Sequence, residues 1–145
     1  MLFIRKNLVV LLIFMSFVTF SQNWLTDYDL AKQEATQKDR KIILVFSGSD
    51  WCAPCIKLDK EIWKSTEFKD YATSNLVMLK ADFPRRKKNT LTKQQQSHNN
   101  ALAEKYNPKG FFPLVVMLDN EGIVLGETGY LKRSPKEFIK LITSY

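Results

Sequence analysis

The run Ile42-Ile43-Leu44-Val45-Phe46, with Trp51-Cys52-Ala53-Pro54-Cys55 close behind it, limits the architectures open to this chain more than any other feature. An uninterrupted β-branched and aliphatic stretch is the composition of a strand covered on both faces, which places it centrally in a sheet. Beyond the cysteines, Ile56, Leu58, Ile62 and Trp63 recur with helical spacing, so the second cysteine falls in the first turn of a helix. Leu76-Val77-Met78-Leu79 reads as a second buried strand, and the intervening helix makes it parallel to the first through a right-handed crossover. Pro84 ends it. Phe111 to Leu118, interrupted early by Pro113, and Ile123-Val124-Leu125 are two further strands, which Asp119-Asn120-Glu121-Gly122 joins as an antiparallel hairpin.

Helices fill the intervals. Trp24 to Lys38 is polar with Tyr28, Ala31 and Ala35 on one face, and Ser65 caps a short helix carrying Phe68, Tyr71 and Ala72. Ala101, Leu102 and Tyr106 resume a helical pattern before Asn107-Pro108-Lys109-Gly110 breaks it. Ser134-Pro135-Lys136-Glu137 is a capping box with proline at the first helical position, followed by Phe138, Leu141, Ile142 and Tyr145 at helical spacing. The segment 85–100 is basic, amide-rich and nearly without apolar residues, and is expected to be a polar insertion outside the core. Its cations Arg85, Arg86, Lys87 and Lys88 read as a solvated loop, and its histidine, His98, as an exposed loop residue. The expected architecture is α/β and three-layered, with a central mixed sheet of about four strands flanked by helices.

The first 21 residues stand apart. Arg5 and Lys6 precede a charge-free apolar run from Leu8 to Phe20, which reads as a secretory signal cut before Gln22. The run is shorter than the roughly 20 residues a spanning helix needs, so no stable membrane span is expected after cleavage. The remainder, 22–145, suits one domain. Removing Arg5 and Lys6 from the 22 basic residues leaves 20 against 15 acidic ones, so the net charge falls from +7 to +5. An exported, moderately basic domain is not expected to meet nucleic acid.

The chain has two cysteines, three positions apart. A bridge closing so short a loop removes little entropy from the unfolded chain, so the pair is chemical rather than structural. A thiol attacks a disulfide only as its thiolate. Cys52 falls at a strand-to-helix junction, where unpaired backbone N–H groups and the helix dipole favour a negative sulfur, while Cys55 lies one turn further in and is expected to be shielded. Pro54 suits the first turn, where its missing N–H leaves nothing unpaired. A Cys-X-X-Cys pair also supplies half of a tetrahedral zinc site, but the other half is missing here, since His98 is the lone histidine and no third cysteine exists.

Ser49-Asp50-Trp51-Cys52-Ala53-Pro54-Cys55 after a buried strand, Phe112-Pro113 opening a later strand, and Gly129 after the hairpin together resemble the thioredoxin superfamily across essentially the whole of 22–145. Phe46-Ser47-Gly48-Ser49-Asp50-Trp51-Cys52 and Leu58-Asp59-Lys60-Glu61 are similar to exported thioredoxin-like proteins and to the C-terminal domain of membrane thiol-disulfide interchange reductases. The resemblance implies a protein-disulfide oxidoreductase, reductase favoured, with no cofactor beyond its two thiols. It implies Cys52 as nucleophile, Cys55 as resolving thiol, a cis bond before Pro113, and a substrate-binding surface of Trp51, Pro54, Phe112, Pro113 and Gly129. Its implied partners are proteins bearing disulfides or thiols, and a membrane thiol donor of electrons, in a periplasmic or equivalent exported space. Two departures stand out: the strand Leu44-Val45-Phe46-Ser47 lacks the family's buried acid, leaving Asp50, Asp59 or water for proton transfer, and Phe112 narrows the peptide groove. A different class stays open: a noncatalytic thioredoxin-fold module that binds a partner or delivers a metal, with 85–100 as its docking surface.

Overall fold

The computed structural model of the protein describes residues 22–145, so the signal segment expected at 1–21 lies outside the described residues. Five strands form one mixed sheet in the order β1-β3-β2-β4-β5. They are β1 (Trp24–Leu25), β2 (Lys41–Ser47), β3 (Leu76–Asp82), β4 (Leu114–Leu118) and β5 (Val124–Thr128). The apolar run Ile42–Phe46 lies in β2, between parallel β3 and antiparallel β4. Successive side chains of a strand point to opposite faces. Ile42, Leu44 and Phe46 therefore pack toward α1 (Tyr28–Lys38) and α4 (Lys93–Tyr106), with Ala31, Ala35, Leu102 and Tyr106. Ile43 and Val45 face α2 (Ala53–Leu58), α3 (Thr66–Asn75) and α5 (Pro135–Thr143), with Leu58, Phe68, Phe138 and Ile142. The result is the expected three-layer arrangement, and both flanks of β2 are dry.

The first helix begins later than its polar pattern suggests. Asp27 has extended backbone and accepts the Leu30 N–H at 2.8 Å, so the helix starts at Tyr28. Trp24 and Leu25 are thereby freed to pair with Met78 and Leu79 as a fifth, edge strand.

Segment 85–100 is not one continuous loop. Thr92 accepts the Gln95 N–H and caps α4, so its second half is two turns of helix. These turns bury almost no apolar surface, which is why hydrophobic periodicity is silent there. They are held instead by amides: Asn99, 2 % exposed, donates to the Asp82 carbonyl at 3.0 Å, and Gln95 donates to the Thr26 carbonyl at 3.0 Å. His98 is correspondingly half-buried rather than a free loop residue, and its Nε2 accepts the Tyr28 N–H at 3.0 Å.

The hairpin turn needs its glycine. Gly122 has φ +89°, and a Cβ there would collide with the Tyr28 and Tyr106 hydroxyls, the second of which donates to the Gly122 carbonyl. Among the described residues no helix is long and apolar enough to cross a membrane.

Candidate active site around the Cys52–Cys55 disulfide

The site is built where β2 gives way to α2. The Cys52 and Trp51 N–H groups both donate to the Gly48 carbonyl, at 2.8 and 3.2 Å, which folds the chain sharply after Ser47. Gly48 is required by close approach, because a Cβ would overlap the Trp51 indole. Cys52 then occupies the N-cap of α2 in extended conformation, and its sulfur accepts the Cys55 N–H at 3.3 Å. Pro54 sits exposed in the first turn, where no N–H is missed.

Cys52 and Cys55 form a disulfide, with Cα atoms 5.2 Å apart. Both residues are 4 % exposed, so burial does not separate an outer sulfur from an inner one as expected. Their surroundings do. The Cys55 sulfur accepts the Gly48 N–H at 3.5 Å and faces a pocket of about 290 Å³ shared with Val45, Leu58, Asp59, Trp63, Lys80 and Pro113. Cys52 lies between half-buried Trp51 and exposed Ala53 and Pro54.

The Phe112-Pro113 peptide is cis, and Pro113 is buried on the same pocket as Cys55. Buried Asn107 sets the approach to it: its side chain accepts the Phe111 N–H at 2.9 Å and donates to the Phe111 carbonyl at 2.8 Å. Gly129 lies against the Pro113 carbonyl, 3.5 Å from where its Cβ would be. Phe112 does not project into an open groove. Its ring packs edge-on against both Trp51 and Phe83, each with centroids 5.4 Å apart, and the Trp51 indole N–H donates to the Phe83 carbonyl at 2.7 Å. The sequence-predicted residues Trp51, Cys52, Cys55, Phe112, Pro113 and Gly129 thus converge, with Pro54 on the rim.

Sequence reasoning missed Phe83 and Arg85. The Arg85 guanidinium lies 3.7 Å from the Trp51 ring centroid, covering one face of the indole. Its position is fixed by Asp50, whose carboxylate accepts the N–H of Arg85 and of Arg86 and the Asn89 amide, all at 2.9 Å. These bonds, with the Arg85 N–H foremost, hold the Asp50 carboxyl down at about 2, below its ordinary 3.8. The remaining candidate acid, Asp59, lines the Cys55 pocket and pairs with Lys64 at 2.7 Å.

A depressed carboxyl stabilises the ordered turn wherever it is ionised, so Asp50 contributes fully above its ordinary value of 3.8 and loses the contribution as pH falls toward about 2. Protection of the Arg85 and Arg86 amides, taken against the unfolded-chain exchange rate at each pH, is expected to hold at pH 5 and to fall as pH drops through that window. In Asp50→Ala their exchange should be roughly tenfold faster at pH 5 already, the equivalent of about one lost charge-assisted hydrogen bond. Unchanged exchange in that variant would show the turn to be held by something else.

A family model described as thioredoxin-like matches residues 23–120. The chain is 39% identical over 103 residues to the disulfide bond reductase DsbH of Chlamydia pneumoniae, covering 71% of this chain and 60% of that protein. It is 30% identical over 98 residues to the thioredoxin-related protein DsbJ of the same organism, covering 68% of this chain and 27% of that one. A solved DsbH oxidoreductase structure superposes with a TM-score of 0.78 at 32% identity, covering 86% of this chain and 83% of that chain. The matches thus span about three fifths of the first curated relative's length and about a quarter of the second's. With the family model spanning 23–120 and the superposition covering 86% of the chain, the chain belongs to the thioredoxin-like family.

Proposed function

We propose that this protein is a thiol-disulfide oxidoreductase acting on disulfides of exported proteins, working mainly as a reductase. The observation that carries the reading is the Cys52–Cys55 disulfide at a strand-to-helix junction, sharing its wall with the cis Phe112-Pro113 peptide. In the dithiol form, the Cys52 thiolate keeps the N-cap position and the N–H groups of the first turn of α2. It attacks one sulfur of the partner's disulfide. A Cys52–partner bond forms, the partner's S–S bond breaks, and the released partner thiolate takes up a proton. Cys55, having lost its proton to Asp59 or to water in the shared pocket, then attacks the Cys52 sulfur. The mixed disulfide breaks, the second partner thiol leaves, and the Cys52–Cys55 bond closes. Two electrons have passed from the pair to the partner, and an external dithiol must restore them.

The strand Leu44–Ser47 offers no acid and Asp50 is committed to the 85–89 turn, which favours Asp59, on the wall of the Cys55 pocket, over Asp50 as the carboxylate that serves Cys55. The substrate surface assigned to Trp51, Pro54, Phe112, Pro113 and Gly129 is supported by their convergence around the disulfide. The 39%-identical relative is described as a disulfide bond reductase, which supports the direction. A signal peptide at residues 1–21, a thioredoxin-like domain at 22–145, an exported location and a membrane thiol donor complete the proposal.

Catalysed reduction of insulin by dithiothreitol is the test. The chain is expected to shorten the lag before precipitation severalfold, and a glutathione titration should place the pair near the thioredoxin value of about −270 mV. No acceleration would remove the enzymatic reading, and a potential near about −120 mV would reverse the direction.

A further inference from the structure

The basic run Arg85-Arg86-Lys87-Lys88 reads as no more than a solvated loop, yet the structure seats it at the redox site. Arg85 covers the face of Trp51, the residue preceding Cys52, and all four cations are exposed. The run is an ordered turn: Asp50 clamps its two leading N–H groups and Asn89, and Lys87–Asn89 close one 3-10 turn. Among the described residues the ion pairs within 4 Å all lie elsewhere, at Lys32, Lys38 and Lys64. Asp50 offsets one of the four charges, and its oxygens are occupied by amides. The lip is therefore preorganised and keeps a net positive charge of about three.

We propose that this turn is a docking lip for an acidic segment flanking the reactive disulfide of the protein partner, an inference that rests on the oxidoreductase reading above. The neighbouring surface fits an extended polypeptide. A pocket of about 250 Å³ continues from the turn, where Phe83, Pro84 and Leu91 offer apolar contact and Gln96, Asn99 and Asn100 side-chain amides; its one acid, Asp82, has its carboxylate engaged by the Ser49 N–H and hydroxyl. Carboxylates entering over Arg86, Lys87 and Lys88 would bring the partner's sulfurs alongside Trp51 and Cys52. An anionic lipid surface is the poorer match. The turn carries no exposed large apolar side chain to insert, and lying flat against a bilayer would cover the disulfide it adjoins.

Rim charges act chiefly on association rate and are weakened by salt. The test uses the full chain, reduced beforehand, and two synthetic peptides, each closed by one internal disulfide, flanked by glutamates in one and by glutamines in the other. The second-order rate constant for reduction is read for each, and their ratio is the observable. At about 20 mM salt the glutamate peptide is expected to react about tenfold faster, with the ratio falling toward one at high salt. Neutralising the lip as Arg86→Gln, Lys87→Gln and Lys88→Gln together should bring the ratio to about one, and Lys87→Glu with Lys88→Glu should push it below one. A ratio near one in the unaltered chain, or a tenfold ratio surviving neutralisation, overturns the docking lip and leaves the oxidoreductase intact. Reduction of neither peptide overturns the oxidoreductase reading and the lip with it. A ratio near one alongside sedimentation with phosphatidylserine-containing vesicles, lost on neutralisation, overturns it in favour of a lipid contact.

Discussion

With Cys52 replaced by serine, insulin reduction is expected to fall to the rate given by dithiothreitol alone, whereas reduced Cys55→Ser mixed with insulin after dithiothreitol is removed should stall after one step, with partner chains trapped on Cys52. The asymmetry follows from the two sulfurs' neighbours, because burial alone, at 4 % exposure for each, does not rank them. Cys52 is at the helix N-cap and accepts the Cys55 N–H, a position that favours the thiolate and remains next to the exposed first turn. A serine hydroxyl there stays protonated and forms no bond to sulfur, so nothing substitutes for the nucleophile. Cys55 shares its pocket with Leu58 and Trp63, and its sulfur is the one in bonding reach of Cys52. A non-reducing gel shows the outcome directly. Adducts accumulating on Cys52→Ser rather than Cys55→Ser would exchange the two roles, and turnover in both variants would end the two-thiol mechanism.

How much of this was legible beforehand depends on how far apart in the chain the interacting residues lie. The central strand, the crossover to β3, the hairpin and the Ser134–Glu137 capping box are written in short stretches, and each forms where its pattern lies. The cysteine pair was equally readable, because strand end, motif and helix start are contiguous. What stayed hidden are contacts made across the fold by residues of ordinary type. Asp50 looks like a solvated acid until residues 35 to 39 positions later fold back onto it. Phe83 and Arg85 look like a strand end and a loop cation until the first packs on Phe112 and accepts the Trp51 indole N–H, and the second covers the Trp51 ring. The start of α4 carried one readable sign, Thr92 as a cap, but amide contacts rather than apolar spacing hold that helix. Hydrophobic periodicity has nothing to report when Asn99 and Gln95 do the anchoring.

Trp63→Ala is expected to cost about 3–5 kcal/mol, as large a loss as a single core truncation ordinarily gives. The reason begins in the helix itself. After α2 the chain widens into a π-turn over Asp59–Trp63, in which the Lys64 N–H donates to the Asp59 carbonyl at 3.0 Å. In a regular α-helix Ile62 would repeat Leu58's direction and Trp63 would swing away from the sheet. The wider turn lets both Ile62 and Trp63 be buried, at 0 and 2 % exposure. Trp63 then stands at the centre of an edge-to-face cluster, 4.8 Å from Phe68, 5.3 Å from Phe138 and 5.7 Å from Trp24. It joins the π-turn to α3, α5 and the edge strand at once, and four elements cannot all close on the space an alanine leaves. Against a total stability of roughly 5–15 kcal/mol, the loss brings the domain near its threshold. Guanidinium unfolding of the oxidised chain should show the midpoint falling with little change in slope, and Trp63→Phe should recover part of the loss. A cost below about 1.5 kcal/mol would mean that the cluster relaxes around the gap. The same side chain walls the Cys55 pocket, so the variant also widens the opening beside the resolving sulfur. In the folded fraction that exposure should speed alkylation of reduced Cys55 while leaving the N-cap contact of Cys52 in place.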